Sequence, residues 1–375
     1  MPGPIRVVIV DDSTLMQRVL TGLLQQDSAI LVVGVAGNGR EAIEVVERLR
    51  PDVVTMDVRM PVMDGLATTE HLMANCPTPI LVLTALAQHD VDITFKMLGA
   101  GALDVVEKPI GNDPMALMRQ AHDLIRRIKL LARVKVVRHL RGRRRSEEVP
   151  PILASSPIRA SYARVAEPVV QLQPRPTRLP IEAATPFPVL IIGASTGGPR
   201  VVNQILSTLP SGFPAAVIVV QHIAQGFSEG MAEWLGYQSR LPVVVATEHM
   251  VVKPGVVLIA PDSNDFLLDV GGTVHLSRNS VLLQRPSVDV AMQAAAAVFG
   301  RRCIGVLLTG MGRDGAYGML TIRRAGGHTI AQDETSSAIF GMPKAAIELG
   351  AATEVLAAPM IAERINDLVY AVSRA

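Results

Sequence analysis

The stretch Val189-Leu-Ile-Ile-Gly-Ala-Ser-Thr-Gly-Gly-Pro199 limits the choice of fold more than any other. Residues 189–192 form a short continuous apolar run, the pattern of a parallel strand buried on both faces. Gly193, Gly197 and Gly198 then permit a sharp turn, and Pro199 is tolerated in the first turn of a helix. Val202, Ile205, Leu206 and Leu209 follow at helical spacing. The predicted strand-turn-helix holds Ser195 at its apex, inside the pattern Gly193-x-Ser195-x-Gly197. That is the layout of a nucleophile elbow, in which a strained turn exposes the hydroxyl and N–H groups at the helix start can bind an oxyanion. A glycine-rich anion-binding turn is the alternative. The sequence is neither G-x-G-x-x-G nor followed by Gly-Lys-Ser/Thr, so both nucleotide fingerprints fail here.

Elsewhere, short Val/Ile/Leu runs bounded by Gly, Pro and Asp alternate with helical patterns, which indicates doubly wound α/β domains. A length of 375 residues suits two or three of them. Aromatics make up 3% against 49% hydrophobic residues, so the cores must be aliphatic. Two cysteines, Cys76 and Cys303, provide no disulfide framework and suit a reducing compartment. With no signal-like segment and no apolar run of spanning length, a cytoplasmic location is expected. The net charge of +2 hides a run at 126–145 with ten Lys/Arg and no acid. Such a run reads as a solvated helix face and tail, with a nucleic-acid contact as the alternative.

In chain order, strands are predicted at 5–10, 32–36, 52–56, 80–83 and 102–106, with helices at 15–24 and 40–50. A last helix starts at Pro114, capped by Asn112 or Asp113. Asp11, Asp12, Asp57, Thr84 and Lys108 then all fall at the carboxyl ends of parallel strands, the edge where open α/β sheets bind ligands. Three carboxylates crowded there repel one another unless a hard cation such as Mg²⁺ shares them. With Thr84 and Lys108 holding phosphoryl oxygens, Asp57 is the candidate nucleophile for an aspartyl phosphate. Singly, each has a simpler role: Asp12 as a helix cap, Lys108 as a surface residue, Thr84 as a turn residue.

These residues resemble the receiver domain of two-component response regulators. The motifs are Asp11-Asp12-Ser13, Met56-Asp57-x-x-Met60-Pro61, Asp64-Gly65, Thr84-Ala85 and Lys108-Pro109. The resemblance implies a (βα)5 domain over residues 4–128, phosphorylated on Asp57 by a histidine kinase with Mg²⁺ held by Asp11, Asp12 and Asp57. Where many receivers carry an aromatic switch residue, this chain has Val105, so another surface is expected to relay phosphorylation.

Residues 129–187 read as a basic, proline-rich linker; nine prolines lie between Pro150 and Pro188. Beyond the elbow, strands are predicted at 215–220, 243–246, 256–260, 304–308 and 329–331. A hairpin joins 266–270 to 273–276 through Gly271-Gly272. Helices follow from Ser287 or Asp289 to Val298 and from Pro343 to Leu349. A serine hydroxyl needs a base, and the base an orienting carboxylate. His222 and His249 both lie past strand carboxyl ends, as Ser195 does. His222 is preferred because its strand is more apolar and hence more central. His275 falls mid-hairpin and His328 at the opposite strand edge. Asp314 lies in a glycine-rich loop after another strongly apolar strand, and Asp262 competes with it. Capping or core roles for Asp314 and His222 are the simpler alternatives. The chain order Ser195…His222…Asp314 is not that of the α/β-hydrolases.

Residues 188–373 resemble the catalytic domain of the chemotaxis protein-glutamate methylesterases (CheB family). The matching motifs are Gly193-Ala-Ser-Thr-Gly-Gly198, Gln221-His222, Pro286-Ser-Val-Asp289, Thr309-Gly-Met-Gly-x-Asp-Gly315 and Phe340-Gly-Met-Pro343. The order receiver, linker, esterase is also that family's. The resemblance implies Ser195 as nucleophile, His222 as base, Asp314 as orienter, and the N–H groups near Thr196 and Met311 as oxyanion donors. It implies a doubly wound, mostly parallel α/β esterase domain with a β-hairpin and no cofactor. The implied substrates are glutamate γ-methyl esters on chemoreceptor helices, with deamidation of receptor glutamines as a second activity. The membrane is then met only through receptors, and no nucleic-acid partner is expected. Arg313 and Asp265 depart from the family pattern, and both departures are expected to concern the substrate surface. Two rival readings are a receiver-controlled DNA-binding regulator, which lacks a helix-turn-helix pattern here, and a general carboxylesterase.

Overall fold

Ile5–Val10 (β1) is apolar at every position but Arg6, and its last four residues are fully buried, as a central parallel strand requires. It pairs in parallel with Ile30–Ala36 (β2) and Val53–Asp57 (β3). Ile80–Thr84 (β4) and Asp104–Glu107 (β5) complete a five-stranded sheet of order β2-β1-β3-β4-β5. The crossovers contain Thr14–Leu24 (α1), Gly39–Leu49 (α2), Gly65–Asn75 (α3), Val91–Ala100 (α4) and Pro114–Leu131 (α5). Polar caps start three of these helices: Ser13 accepts from Met16 N–H, Asn38 from Arg40 and Glu41, and Asp64 from Ala67. The cap of α1 is therefore Ser13, which leaves Asp12 free of that role.

The structure, a computed structural model, describes residues 3–85, 90–109, 114–134, 136, 187–278 and 285–374. The cap expected at Asn112 or Asp113 lies outside the described residues, as does most of the linker expected at 129–187, whose first three residues continue α5.

The second unit begins with the elbow: Val189–Ala194 (β6), then Gly198–Thr208 (α6). Ala216–Gln221 (β7), Ser228–Gly236 (α7), Val243–Val245 (β8) and Val257–Ile259 (β9) follow. Asp265–Asp269 (β10) and Thr273–Ser277 (β11) form the expected antiparallel hairpin, turning through Gly271 and Gly272 at φ 97° and 81°. The chain continues through Val288–Phe299 (α8), Cys303–Leu307 (β12), Ala316–Arg324 (α9) and His328–Gln332 (β13). Met342–Glu348 (α10), Glu354–Leu356 (β14) and Ala358–Arg374 (α11) end it. The seven-stranded parallel sheet has order β14-β13-β12-β6-β7-β9-β8. The chain winds outward from β6 through β7, then restarts on its other side at β12, so the order reverses beside β6. Ligands bind at such a switch point, outside the strand carboxyl ends.

The two units pack together. Phe95 on α4 stacks on Trp234 of α7, with centroids 5.6 Å apart, and meets Phe227 edge-on at 6.1 Å. Gly230 on α7 lets α4 approach closely; a Cβ there would fall 1.9 Å from Val91 Cγ1.

Candidate functional site

The register of the central sheet sets Ser195 beside His222. Ala194 pairs with Gln221, and His222 N–H donates to Ala194 O at 2.9 Å. The elbow turns where φ is 77° at Gly197, in the left-handed region that favours glycine. Two groups pin it from outside. Gln221 Nε2 donates to Ser195 O at 2.8 Å, and Ser195 N–H donates to Thr309 O at 3.0 Å. Gly310 must be glycine, since a Cβ there would lie 2.7 Å from Ser195 Cβ. The Thr309–Gly315 loop is thus laid directly on the serine. Among the described residues, none accepts from the N–H of Thr196 or Met311.

His222 Nε2 and Asp314 Oδ2 are 2.8 Å apart. The other ring nitrogen, Nδ1, is buried without a hydrogen-bond partner among the described residues, so no bond joins it to Ser195 Oγ. Asp314 also accepts from Val288 N–H at 2.8 Å, Asp289 N–H at 2.9 Å and Ser287 Oγ at 3.0 Å. It therefore caps α8 and orients His222 together. Burial alone would raise its carboxyl, but the His222 bond and those N–H donors hold it below the ordinary range.

The other sequence candidates lie elsewhere. His249 sits at φ 64° with its side chain 81% exposed. His275 bonds to Glu248, and His328 opens β13 and pairs with Glu354. Asp262 accepts from the N–H groups of Gly226, Phe227 and Ser228 and so caps α7. Arg313 is exposed. Asp265 is not on the substrate surface expected for it. It is 3% exposed and accepts from Ser287 N–H at 2.9 Å, one residue from the cap of Asp314. Its role is to hold the start of α8. Gln221, Asp265 and Ser287 form an inner support whose role the linear pattern did not show. A polar residue closing an apolar strand, as Gln221 does, was the available signal.

In the first unit, Asp57 ends β3 and Thr84 ends β4, both buried. Lys108 Nζ lies 2.7 Å from Asp11 Oδ2 and 2.8 Å from Asp57 Oδ2. Carboxylate oxygens of Asp11, Asp12 and Asp57 all fall within 4.8 Å of one another, a donor set that fits a hard divalent cation. Burial pushes the Asp57 carboxyl up despite the pull of Lys108. Burial also opposes the Lys108 charge, but hydrogen bonds to Asp11 and Asp57 outweigh it and raise that group. Gly65 is fixed by packing here: a Cβ would lie 2.1 Å from Asp57 O.

The unit carrying Asp57 reaches the elbow directly. Thr196 Oγ1 donates to Asp104 Oδ2 at 2.6 Å, Arg127 Nη1 donates to the same oxygen at 2.6 Å, and Gly197 N–H donates to Leu103 O at 3.0 Å. Met311 and Ile339 pack into the apolar cluster of Leu103, Val106 and Ile125. Ser195 is only 8% exposed in this arrangement. Among the described residues, no helix is long and apolar enough to cross a membrane.

Two family models match the chain, the response regulator receiver domain at residues 7–120 and CheB methylesterase at residues 190–365. The chain is 43% identical to protein-glutamate methylesterase/protein-glutamine glutaminase 2 of Anaeromyxobacter dehalogenans, over 97% of both chains. It is 37% identical to protein-glutamate methylesterase/protein-glutamine glutaminase of Symbiobacterium thermophilum, over 98% of this chain and 97% of that one. The crystal structure of the CheB methylesterase catalytic domain from Thermotoga maritima covers 49% of this chain and 99% of its own, with 40% identity and a TM-score of 0.48.

Proposed function

The chain belongs to the CheB methylesterase family and carries a response regulator receiver domain, and on that premise we propose that it hydrolyses glutamate γ-methyl esters on chemoreceptor helices under control of phosphorylation at Asp57. The observation that carries this reading is the His222–Asp314 pair, 2.8 Å apart beside the Ser195 elbow. Ser195 Oγ attacks the ester carbonyl while His222 Nδ1 takes its proton. Asp314 keeps the ring oriented and stabilises its charged form. The free N–H groups of Thr196 and Met311 receive the developing oxyanion. His222 then returns the proton to the leaving oxygen, which departs as methanol, and water attacks the acyl-serine by the same route in reverse. A receptor glutamine amide fits the same sequence, with ammonia leaving in place of methanol.

In the receiver, a histidine kinase supplies the phosphoryl group that Asp57 accepts, and Thr84 and Lys108 hold its oxygens. Asp11, Asp12 and Asp57 would hold Mg²⁺, whose charge neutralises the carboxylates and the incoming phosphoryl oxygens. The receiver packs against the elbow, which supports relief of inhibition as the mode of control. The test is methanol release from methylated receptor membranes, with and without a small phosphodonor. Release stimulated by phosphodonor is expected. Ser195→Ala or His222→Ala should each lose on the order of 10³-fold or more, and the double variant little further. Activity on small esters with none on receptors would defeat the reading.

A further inference from the structure

Helices α8 and α9 lie unusually close. A Cβ on Gly318 would fall 2.5 Å from Met292 Cβ and 3.2 Å from Asp289 Cα. At this crossing each helix start is held by a carboxylate belonging to the other. Asp314, two residues ahead of α9, accepts from Val288 N–H and Asp289 N–H in the first turn of α8. In return Asp289, in that first turn, accepts from Gly318 N–H at 2.6 Å. The exchange matters because the segment carrying Asp314 has little support of its own. It passes through two left-handed glycines, Gly312 at φ 89° and Gly315 at φ 92°. Among the described residues its local backbone bonds are two, Ala316 N–H to Arg313 O and Met319 N–H to Gly315 O, and both donors already belong to α9.

We propose that Asp289 is a positioning residue for hydrolysis: by gripping the N-terminal turn of α9 it fixes Asp314 where that carboxylate can orient His222. Asp289 touches neither Ser195 nor His222, so it acts only through Asp314. Burial and the nearby Asp314 charge push the Asp289 carboxyl up to about 7. The proposal rests on the hydrolase reading of Ser195, His222 and Asp314.

The test uses the full-length protein with phosphodonor, measuring kcat and KM for methanol release from methylated receptor membranes. Asp289→Ala should lower kcat by roughly 100-fold and Asp289→Asn, which keeps one acceptor oxygen, by roughly 10-fold. KM should stay within about twofold for both, because no substrate contact is lost. In an Asp314→Ala background, adding Asp289→Ala should change kcat by less than about twofold, whereas a general structural defect would add its full loss. The proposal is overturned if Asp289→Ala keeps kcat near that of the parent, or if its loss is undiminished without Asp314. Should the alanine variant not fold, Asp289→Asn decides alone, and a kcat within about twofold of the parent overturns the idea. Ser195→Ala separates the premises: if it stays active, the hydrolase reading fails; if it is dead while Asp289 variants are fully active, only the present proposal does.

Discussion

Asp289 and Asp57 are both carboxylates whose ionised form burial disfavours, and each is tied to a different task. For Asp289 the consequence for stability has a definite sign. Its folded carboxyl is near 7 against an ordinary value of 3.8, so between those values the folded chain binds a proton that the unfolded chain has released. The stabilisation from the neutral form is complete below about 4 and lost as the pH rises through 7. Asp289→Asn stays neutral throughout. Its urea midpoint relative to the parent should therefore rise between pH 5 and pH 8, and a difference that does not vary with pH would contradict the assignment. Asp57 has a different partner in view. Lys108 bridges it to Asp11, yet one ammonium cannot neutralise Asp11, Asp12 and Asp57 together. Phosphorylation of Asp57 by a small phosphodonor should thus need Mg²⁺, and full labelling in excess chelator would sink the metal assignment. Asp57→Asn should fold normally and lose the response to phosphodonor.

At the scale of elements, what the sequence revealed is what short-range pattern encodes. The apolar runs of β6, β7 and β12 marked central strands, and the greater apolarity of residues 215–220 over 243–246 favoured His222, which the structure sets against Asp314, over the exposed His249. Apolarity tracks position in the sheet here, because β7 pairs with β6 while β8 lies at the edge. Caps across long separations were not legible. Asp262 looked like a rival to Asp314 because nothing in a linear reading shows that it satisfies α7, whose N–H groups lie 34 to 36 residues away. Asp265 was expected on the substrate surface for the same reason; its partner, Ser287, is 22 residues distant. The packing of α4 on α7 was also hidden, since Gly230 carries no apolar signal. That glycine offers a test of the contact away from both active sites. Gly230→Ala inserts a methyl group into Val91, which cannot be absorbed without moving the helices. It should cost about 1–3 kcal/mol of stability and raise methanol release without phosphodonor several-fold. Gly236→Ala, on the same helix with open space around it, is the control and should do neither. Equal basal rates in the two variants would mean that the α4–α7 contact does not restrain the esterase.

Across the whole molecule, one short strand joins the two sites. Lys108, just past the end of β5, grips Asp57, and Asp104 at the start of β5 accepts from Thr196 beside the nucleophile. Four strand residues span roughly 13 Å, so a phosphoryl group that draws Lys108 can pull on the same strand that meets the elbow. Val105 lies within that strand, which gives a route from Asp57 to Ser195 that needs no aromatic switch. The receiver end of the contact is itself braced, because Arg127 holds Asp104 and Asp123 together. Removing one partner of a charge-assisted hydrogen bond costs about 1.5–3 kcal/mol, and Asp104→Ala removes the acceptor of three, from Val105 N–H, Arg127 and, across the contact, Thr196. The linker keeps the domains at high effective concentration, so the closed form persists but becomes less populated. Asp104→Ala in the full-length protein should therefore raise the rate without phosphodonor by roughly tenfold and shrink the stimulation by phosphodonor in proportion. The esterase domain alone, beginning near Ala184, should set the upper limit of that rate and ignore phosphodonor. The isolated domain, in which Thr196 Oγ1 likewise lacks Asp104, controls for altered hydrogen bonding at the elbow. If Asp104→Ala is no faster than the parent while the isolated domain is, the apolar contacts of Phe95 and Trp234 hold the receiver down and β5 only reports the phosphoryl group.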